Sequence, residues 1–212
     1  VNESLPLVAV YADESCLGNG QEGDNPGGAA GLIELRDPRH DALVRLDYWL
    51  SAPATTNNRM AIQSALEALR IFSAKGERAA VVFTSDSQYL VKGMREWVPG
   101  WIRRGWRRKG GAVENLALWQ ELARAARDHD IDWRWVRGHK GHPQNEYANH
   151  LAVRAAERLD ASGGAVPSEF ESWLAAERSH GRMTGTPDPL PERRGFRPAP
   201  PLPPEAAASL FT

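Results

Sequence analysis

Only one cysteine, Cys16, occurs in the 212 residues, which excludes an internal disulfide and any cysteine-rich zinc module and fits a reducing compartment. Long apolar runs are missing too. Nowhere do about 18 apolar residues follow one another, and Val1 to Val10 has neither a cationic flank nor a signal-like apolar stretch, so a soluble, unsecreted, cytoplasmic protein without membrane partners is expected. The chain also lacks an overall basic excess. Its 26 Lys and Arg face 27 Asp and Glu, a net charge of −1, so any polyanion must be met by a local patch. What is present is 42% hydrophobic residues, enough to fill one domain of roughly 150 residues with a remainder.

Leu7 to Ala12 is an apolar run of strand length that delivers Asp13 to a strand end, followed by a glycine-rich loop. Gly31 to Leu35 and Leu43 to Leu50 suggest two further strands in an antiparallel meander. Thr55 or Thr56 can cap a helix in which Ile62, Ala65, Leu66, Leu69 and Phe72 recur at helical spacing. Ala79 to Thr84 reads as a fourth strand delivering Asp86, with a helix over Ser87 to Trp97. A helical stripe at Trp119, Leu122 and Ala126 precedes a fifth strand ending at Gly138, and Pro143 opens a helix to about Leu159. This order implies an α/β fold with a five-stranded mixed sheet and helices on its faces. Nine of the fifteen prolines fall between Pro167 and Pro204, so the expected division is a folded domain over residues 1–159 and a mostly disordered Pro-rich tail over 160–212.

Between Trp97 and Lys109 three tryptophans, Trp97, Trp101 and Trp106, are interleaved with Arg103, Arg104, Arg107, Arg108 and Lys109, and no acid intervenes. Arginines bind phosphates bidentately and indoles stack on sugars or bases, so the segment suits a nucleic-acid backbone. Burial of Trp97, Trp101 and Trp119 in a small helical subdomain is the competing account of the aromatics. Asn57, Asn58 and Gln88 each offer donors and acceptors suited to 2′-hydroxyls and base edges in a shallow minor groove.

Four stretches occur in order: Tyr11-Ala12-Asp13-Glu14-Ser15-Cys16-Leu17-Gly18-Asn19, Thr55-Thr56-Asn57-Asn58-Arg59-Met60, Thr84-Ser85-Asp86-Ser87-Gln88-Tyr89, and Gly138-His139-Lys140-Gly141-His142-Pro143-Gln144-Asn145-Glu146. Together they closely resemble type 1 ribonuclease H over about residues 7 to 159, as does the basic segment, which resembles the family's helical protrusion. The resemblance implies hydrolysis of the RNA strand of RNA/DNA hybrids with Mg2+ or Mn2+, two ions with substrate bound. It makes Asp13 the bridging ligand, Asp86 a second, and His139 the group that takes a proton from the attacking water or aids product release. It places Cys16, Asn19, Asn57, Asn58 and Gln88 towards the RNA strand or minor groove, and Thr56, Arg59 and Trp97 towards the DNA strand.

Two of the family's four acidic positions are not acidic here. The glutamate expected after Asn-Asn-Arg-Met is Ala61, which cannot coordinate, and the acid expected early in the last helix is Asn149, whose amide oxygen can coordinate without charge. Glu14 stands where the family usually has glycine and is the candidate for compensation, although strand alternation sends it to the face opposite Asp13 unless the strand has already ended. Three readings follow. The first is a monomeric, metal-dependent endoribonuclease with a raised metal requirement. The second is a hybrid-binding protein whose chemistry has lapsed. The third makes the Pro-rich tail a partner-docking segment carried by a structural domain.

Overall fold

A sheet built around β1 (Leu7–Cys16) organises the computed structural model, which describes residues 5–18, 25–74, 76, 78–138 and 140–204. On one side β1 pairs antiparallel with β2 (Gly27–Arg36), which pairs antiparallel with β3 (Leu43–Ala52). On the other it pairs parallel with β4 (Ala80–Ser85), and β4 with β5 (Asp130–Trp135). The expected meander and parallel unit are thus present. β2 begins earlier than expected, because Gly27 and Gly28 join the ladder opposite Ala52 and Ser51.

Alternation along β1 divides the interior. Val8, Val10 and Ala12 face α1 (Asn57–Ser73) and α4 (Leu116–Ala126) in the main apolar cluster, which also holds Phe83, Leu90 and Trp119. Thr56 caps α1 by accepting the Arg59 N–H. Asp13 belongs by the same alternation to the opposite face, on which α5 (Pro143–Arg158) lies. That helix approaches so closely that a Cβ on Gly28 would stand 2.0 Å from the Ala152 carbonyl oxygen. After β4, α2 (Gln88–Lys92), a π-helical turn (Gly93–Trp97) and α3 (Val98–Arg103) carry the chain into the basic protrusion.

The sheet has six strands rather than the expected five, in the order β5-β4-β1-β2-β3-β6, because β6 (Val166–Pro167) pairs with Leu46 and Asp47 of β3. It belongs to a segment expected to be mostly disordered. Residues 160–204 instead run along the body. In α6 (Phe170–Ser179), Phe170 and Leu174 pack with Tyr147 and Leu151 of α5, and Met183 joins them. Phe196 packs against Leu5, Ala80 and Val82. The Ala199 N–H donates to the Ile131 carbonyl at 2.8 Å, covering the outer edge of β5. Apart from Phe170 and Leu174, the anchors Met183, Phe196 and Ala199 are isolated among prolines and glycines, without helical or strand periodicity, which is why composition pointed to disorder. The predicted tail residues 205–212 lie outside the described residues. Among the described residues no helix is long and apolar enough to cross a membrane.

Candidate active site

Parallel pairing of β1 with β4 stops at Ala12 opposite Ser85, so Asp13 and Glu14 run past the end of the ladder beside Asp86 and Ser87. Carboxylate oxygens of Asp13, Glu14 and Asp86 come within 4.8 Å of one another, forming the three-carboxylate group found among the described residues. Alternation does separate Asp13 from Glu14. Both remain paired with Ala30 and Ala29 of β2, but β4 no longer flanks them, and on that open side a side chain from either face can bend around the rim, for which glutamate has the extra methylene. Glu14 therefore joins the pair expected from sequence.

Asp13 is 5% exposed. Its Oδ1 accepts the Glu14 N–H at 2.7 Å and its Oδ2 accepts the Asn145 amide at 2.9 Å. Burial, and then the charge of Asp86, nevertheless push its pKa up to about 8. Glu14 is raised well above the ordinary carboxylate range by burial and by Asp13 and Asp86, with a Ser87 hydroxyl hydrogen bond opposing. Three acids crowded where β1 outruns β4, two of them raised in pKa, are an oxygen donor set short of positive charge. Such a set suits a hard divalent cation. The backbone closes against it, since a Cβ on Gly138 would fall 2.0 Å from Asp86 Oδ2.

Asn145 and Ser87 had no assigned role in the sequence reading. Asn145 is buried in the first turn of α5, and Ser87 both caps α2 and reaches Glu14. Their signals were present, as an asparagine just inside a helix start and a serine directly after Asp86. Asn149 lies one turn beyond Asn145, half-buried on the same flank of α5. Ala61 is fully buried in the apolar cluster that contains Ala12. His139 and Asn19 lie outside the described residues.

The polar candidates Thr56, Asn58, Arg59 and Gln88 are exposed, and Cys16 and Asn57 half-buried. Arg59 donates to Asn115 Oδ1 at 3.4 Å, linking the start of α1 to the start of α4. In the protrusion Arg103, Arg104, Arg107, Arg108 and Lys109 are all exposed, while Trp97 and Trp106 are half-buried. Trp101 requires a correction. It is 9% exposed and packs between Trp97 and Trp119, with ring centroids 6.0 and 5.9 Å away, so it supports the protrusion from inside. Trp119 is fully buried and donates its indole N–H to the Tyr89 hydroxyl at 3.1 Å.

Residues 6–157 match the family model described as RNase H. The ribonuclease H of Pelobacter propionicus is 42% identical over 153 residues, covering 72% of this chain and 86% of that protein. That of Hahella chejuensis is 44% identical over 162 residues, covering 75% and 100%. Among solved structures, LC9-RNase H1, described as a type 1 RNase H with the type 2 active-site motif, is 55% identical with a TM-score of 0.89 and full coverage of both chains. The prototype foamy virus RNase H domain, 17% identical with a TM-score of 0.59, covers 72% of this chain and 96% of its own and shares the fold.

Proposed function

The chain belongs to the ribonuclease H family, and from that premise we propose that Asp13, Glu14 and Asp86 hold the divalent ions with which it hydrolyses the RNA strand of RNA/DNA hybrids. The convergence of the three carboxylates carries this reading. Glu14 takes over from the side on which Ala61 lies. By alternation Glu14 shares the face of Ala12, and Ala12 and Ala61 belong to one apolar cluster, so the missing helix carboxylate is replaced by a strand carboxylate from the same flank. A type 1 relative described as carrying another type's motif is consistent with such a redistribution.

Magnesium or manganese, two ions with the hybrid bound, would supply Lewis-acid activation of water and stabilisation of the leaving oxygen. Asp13, held in place by the Asn145 amide and the Glu14 N–H, would be a central ligand to them. Glu14 and Asp86 would hold them with it, and Asn149 would add a neutral amide oxygen from α5. His139 takes the role the family motif implies, moving a proton near the attacking water. Phosphates of the DNA strand meet Arg103, Arg104, Arg107, Arg108 and Lys109, with Trp97 and Trp106 beside them. Thr56 and Arg59 lie towards the same strand, and Cys16, Asn19, Asn57, Asn58 and Gln88 read the minor groove and the RNA 2′-hydroxyls. We read the protein as a cytoplasmic monomer.

The lapsed-chemistry alternative drew its force from two missing acids, and Glu14 removes most of that ground. The test is cleavage of a labelled hybrid by Glu14→Gln beside Asp13→Asn and Asp86→Asn. Each should lose on the order of 100-fold or more in rate, the scale of removing a preorganised electrostatic group. Full-rate cleavage by Glu14→Gln at ordinary magnesium would refute the role of Glu14. An inactive parent that still binds hybrid would restore the binding-protein alternative.

A further inference from the structure

The chain beyond residue 157, outside the matched family model, returns to the active-site end of α5. There Met183 is anchored in the α5–α6 cluster, and Gly185 lies so close to the loop before α5 that a Cβ on it would stand 2.2 Å from the Gly141 carbonyl oxygen. Arg178 of α6 donates to the Gly185 carbonyl at 3.1 Å. Three residues later Asp188, between Pro187 and Pro189, makes a two-way backbone pair with the fully buried Gln144. The Gln144 amide donates to the Asp188 carbonyl at 2.9 Å, and the Asp188 N–H donates to Gln144 Oε1 at 3.1 Å. The flanking prolines restrict the backbone on both sides of Asp188, so the segment meets α5 already stiffened.

The Asp188 side chain reaches further. Its Oδ2 lies 3.0 Å from His142 Nε2. His142 is the N-cap of α5, and its Nδ1 accepts the Asn145 N–H at 3.3 Å. An imidazole that accepts at Nδ1 carries its proton on Nε2, which is the nitrogen facing the Asp188 carboxylate. Asn145, whose N–H is capped, is the residue whose side chain donates to Asp13 Oδ2. One line of contacts thus runs from Asp188 through His142 and Asn145 to Asp13.

We propose that residues 183–190 are a positioning element of the catalytic centre, with Asp188 as a positioning residue that acts through His142 to hold the first turn of α5, and so the Asn145 amide, against Asp13. The inference rests on the assignment of Asp13 as a metal ligand. Oriented hydrogen bonds behind a ligating carboxylate govern how well it binds an ion, and their loss costs affinity and turnover.

The full-length protein, Asp188→Ala, Asp188→Asn, His142→Ala and the Asp188→Ala/His142→Ala double variant serve as the test, with Asp13→Asn as control. Mn2+ affinity of the substrate-free protein, kcat and KM on a hybrid, and Tm are measured, with kinetics well below Tm. Asp188→Ala should lower both Mn2+ affinity and kcat about fivefold, the size of a weakened helix cap, with KM for hybrid unchanged. Asp188→Asn, which keeps an acceptor for His142, should recover most of the loss. In the double variant Asp188→Ala should add little to His142→Ala, because both act along one line. A lower Tm with unchanged kcat and Mn2+ affinity would overturn the proposal in favour of a purely structural strap. A raised KM with unchanged kcat would overturn it in favour of substrate binding. If Asp13→Asn itself still binds Mn2+ and cleaves, the metal-site assignment fails. If only Asp13→Asn is impaired, the positioning role alone fails.

Discussion

Without metal, the carboxylate cluster should make the protein less stable as pH rises, and Asp13→Asn should remove much of that loss. In the folded chain Asp13 keeps its proton to about pH 8, whereas its ordinary value is 3.8. Between these values the folded state binds the extra proton, so stability falls with increasing pH, at up to about 1.4 kcal/mol per pH unit for one group. From pH 5 to pH 8, where the folded group is half titrated, the loss comes to roughly 3–4 kcal/mol. Glu14, also raised, adds in the same direction. His129 and His150 work in the opposite sense, because burial lowers their pKa and the unfolded chain takes up their protons first as pH falls. The difference between parent and Asp13→Asn isolates the cluster from that background. Urea unfolding in EDTA should show the two nearly equal at pH 5 and the variant more stable at pH 8. Saturating Mg2+ should return the parent's lost stability at pH 8, because the ion binds only the folded site. A parent curve flat from pH 5 to 8 in EDTA, or a variant no more stable than the parent at pH 8, would refute the electrostatic argument.

Gly138→Ala would place a methyl 2.0 Å from Asp86 Oδ2 and should displace that carboxylate, raising the Mg2+ concentration for half-maximal cleavage at least tenfold while hybrid affinity in EDTA holds; an unchanged metal titration would contradict the placement of the loop. Ala61→Glu with Asn149→Asp would restore the family's acids, yet Ala61 is fully buried and Glu14 already fills the flank; the double variant should lose about 1–3 kcal/mol in chemical denaturation and gain no large rate increase, and a strong rescue would overturn the reassignment to Glu14. Phe170→Ala should cost about 3–5 kcal/mol in the same unfolding assay if α6 is part of the core, against nearly nothing if the tail were loose. Neutralising Arg107 and Arg108 should weaken hybrid binding and flatten its log–log salt dependence by roughly 1–2 units, measurable by anisotropy; an unaltered slope would remove the patch from the interface.

Much of this was legible because it is local. Apolar runs of strand length placed Asp13 in β1 and Asp86 just after β4, helical spacing located α1, α4 and α5, and the run of cations from Arg103 to Lys109 is exposed as its composition suggested. Four motifs in order were enough for the family. The place of Glu14 was left open, because alternation along β1 points it away from Asp13 and the outcome depended on β4 ending at Ser85 while β1 runs on beside β2, a property of strands far apart in the chain. The interior position of Trp101 depended likewise on which neighbours surrounded an aromatic that suits either role.

The fold class, the family and two of the three clustered carboxylates are written in periodicities and motifs only a few residues long, so the chain could be read for them without its contacts. The third carboxylate, the burial of Trp101 and the course of residues 160–204 were decided only by tertiary structure. Each depends on contacts between distant segments, where a strand end, an aromatic edge or a single anchor such as Phe196 acquires its role from what it meets.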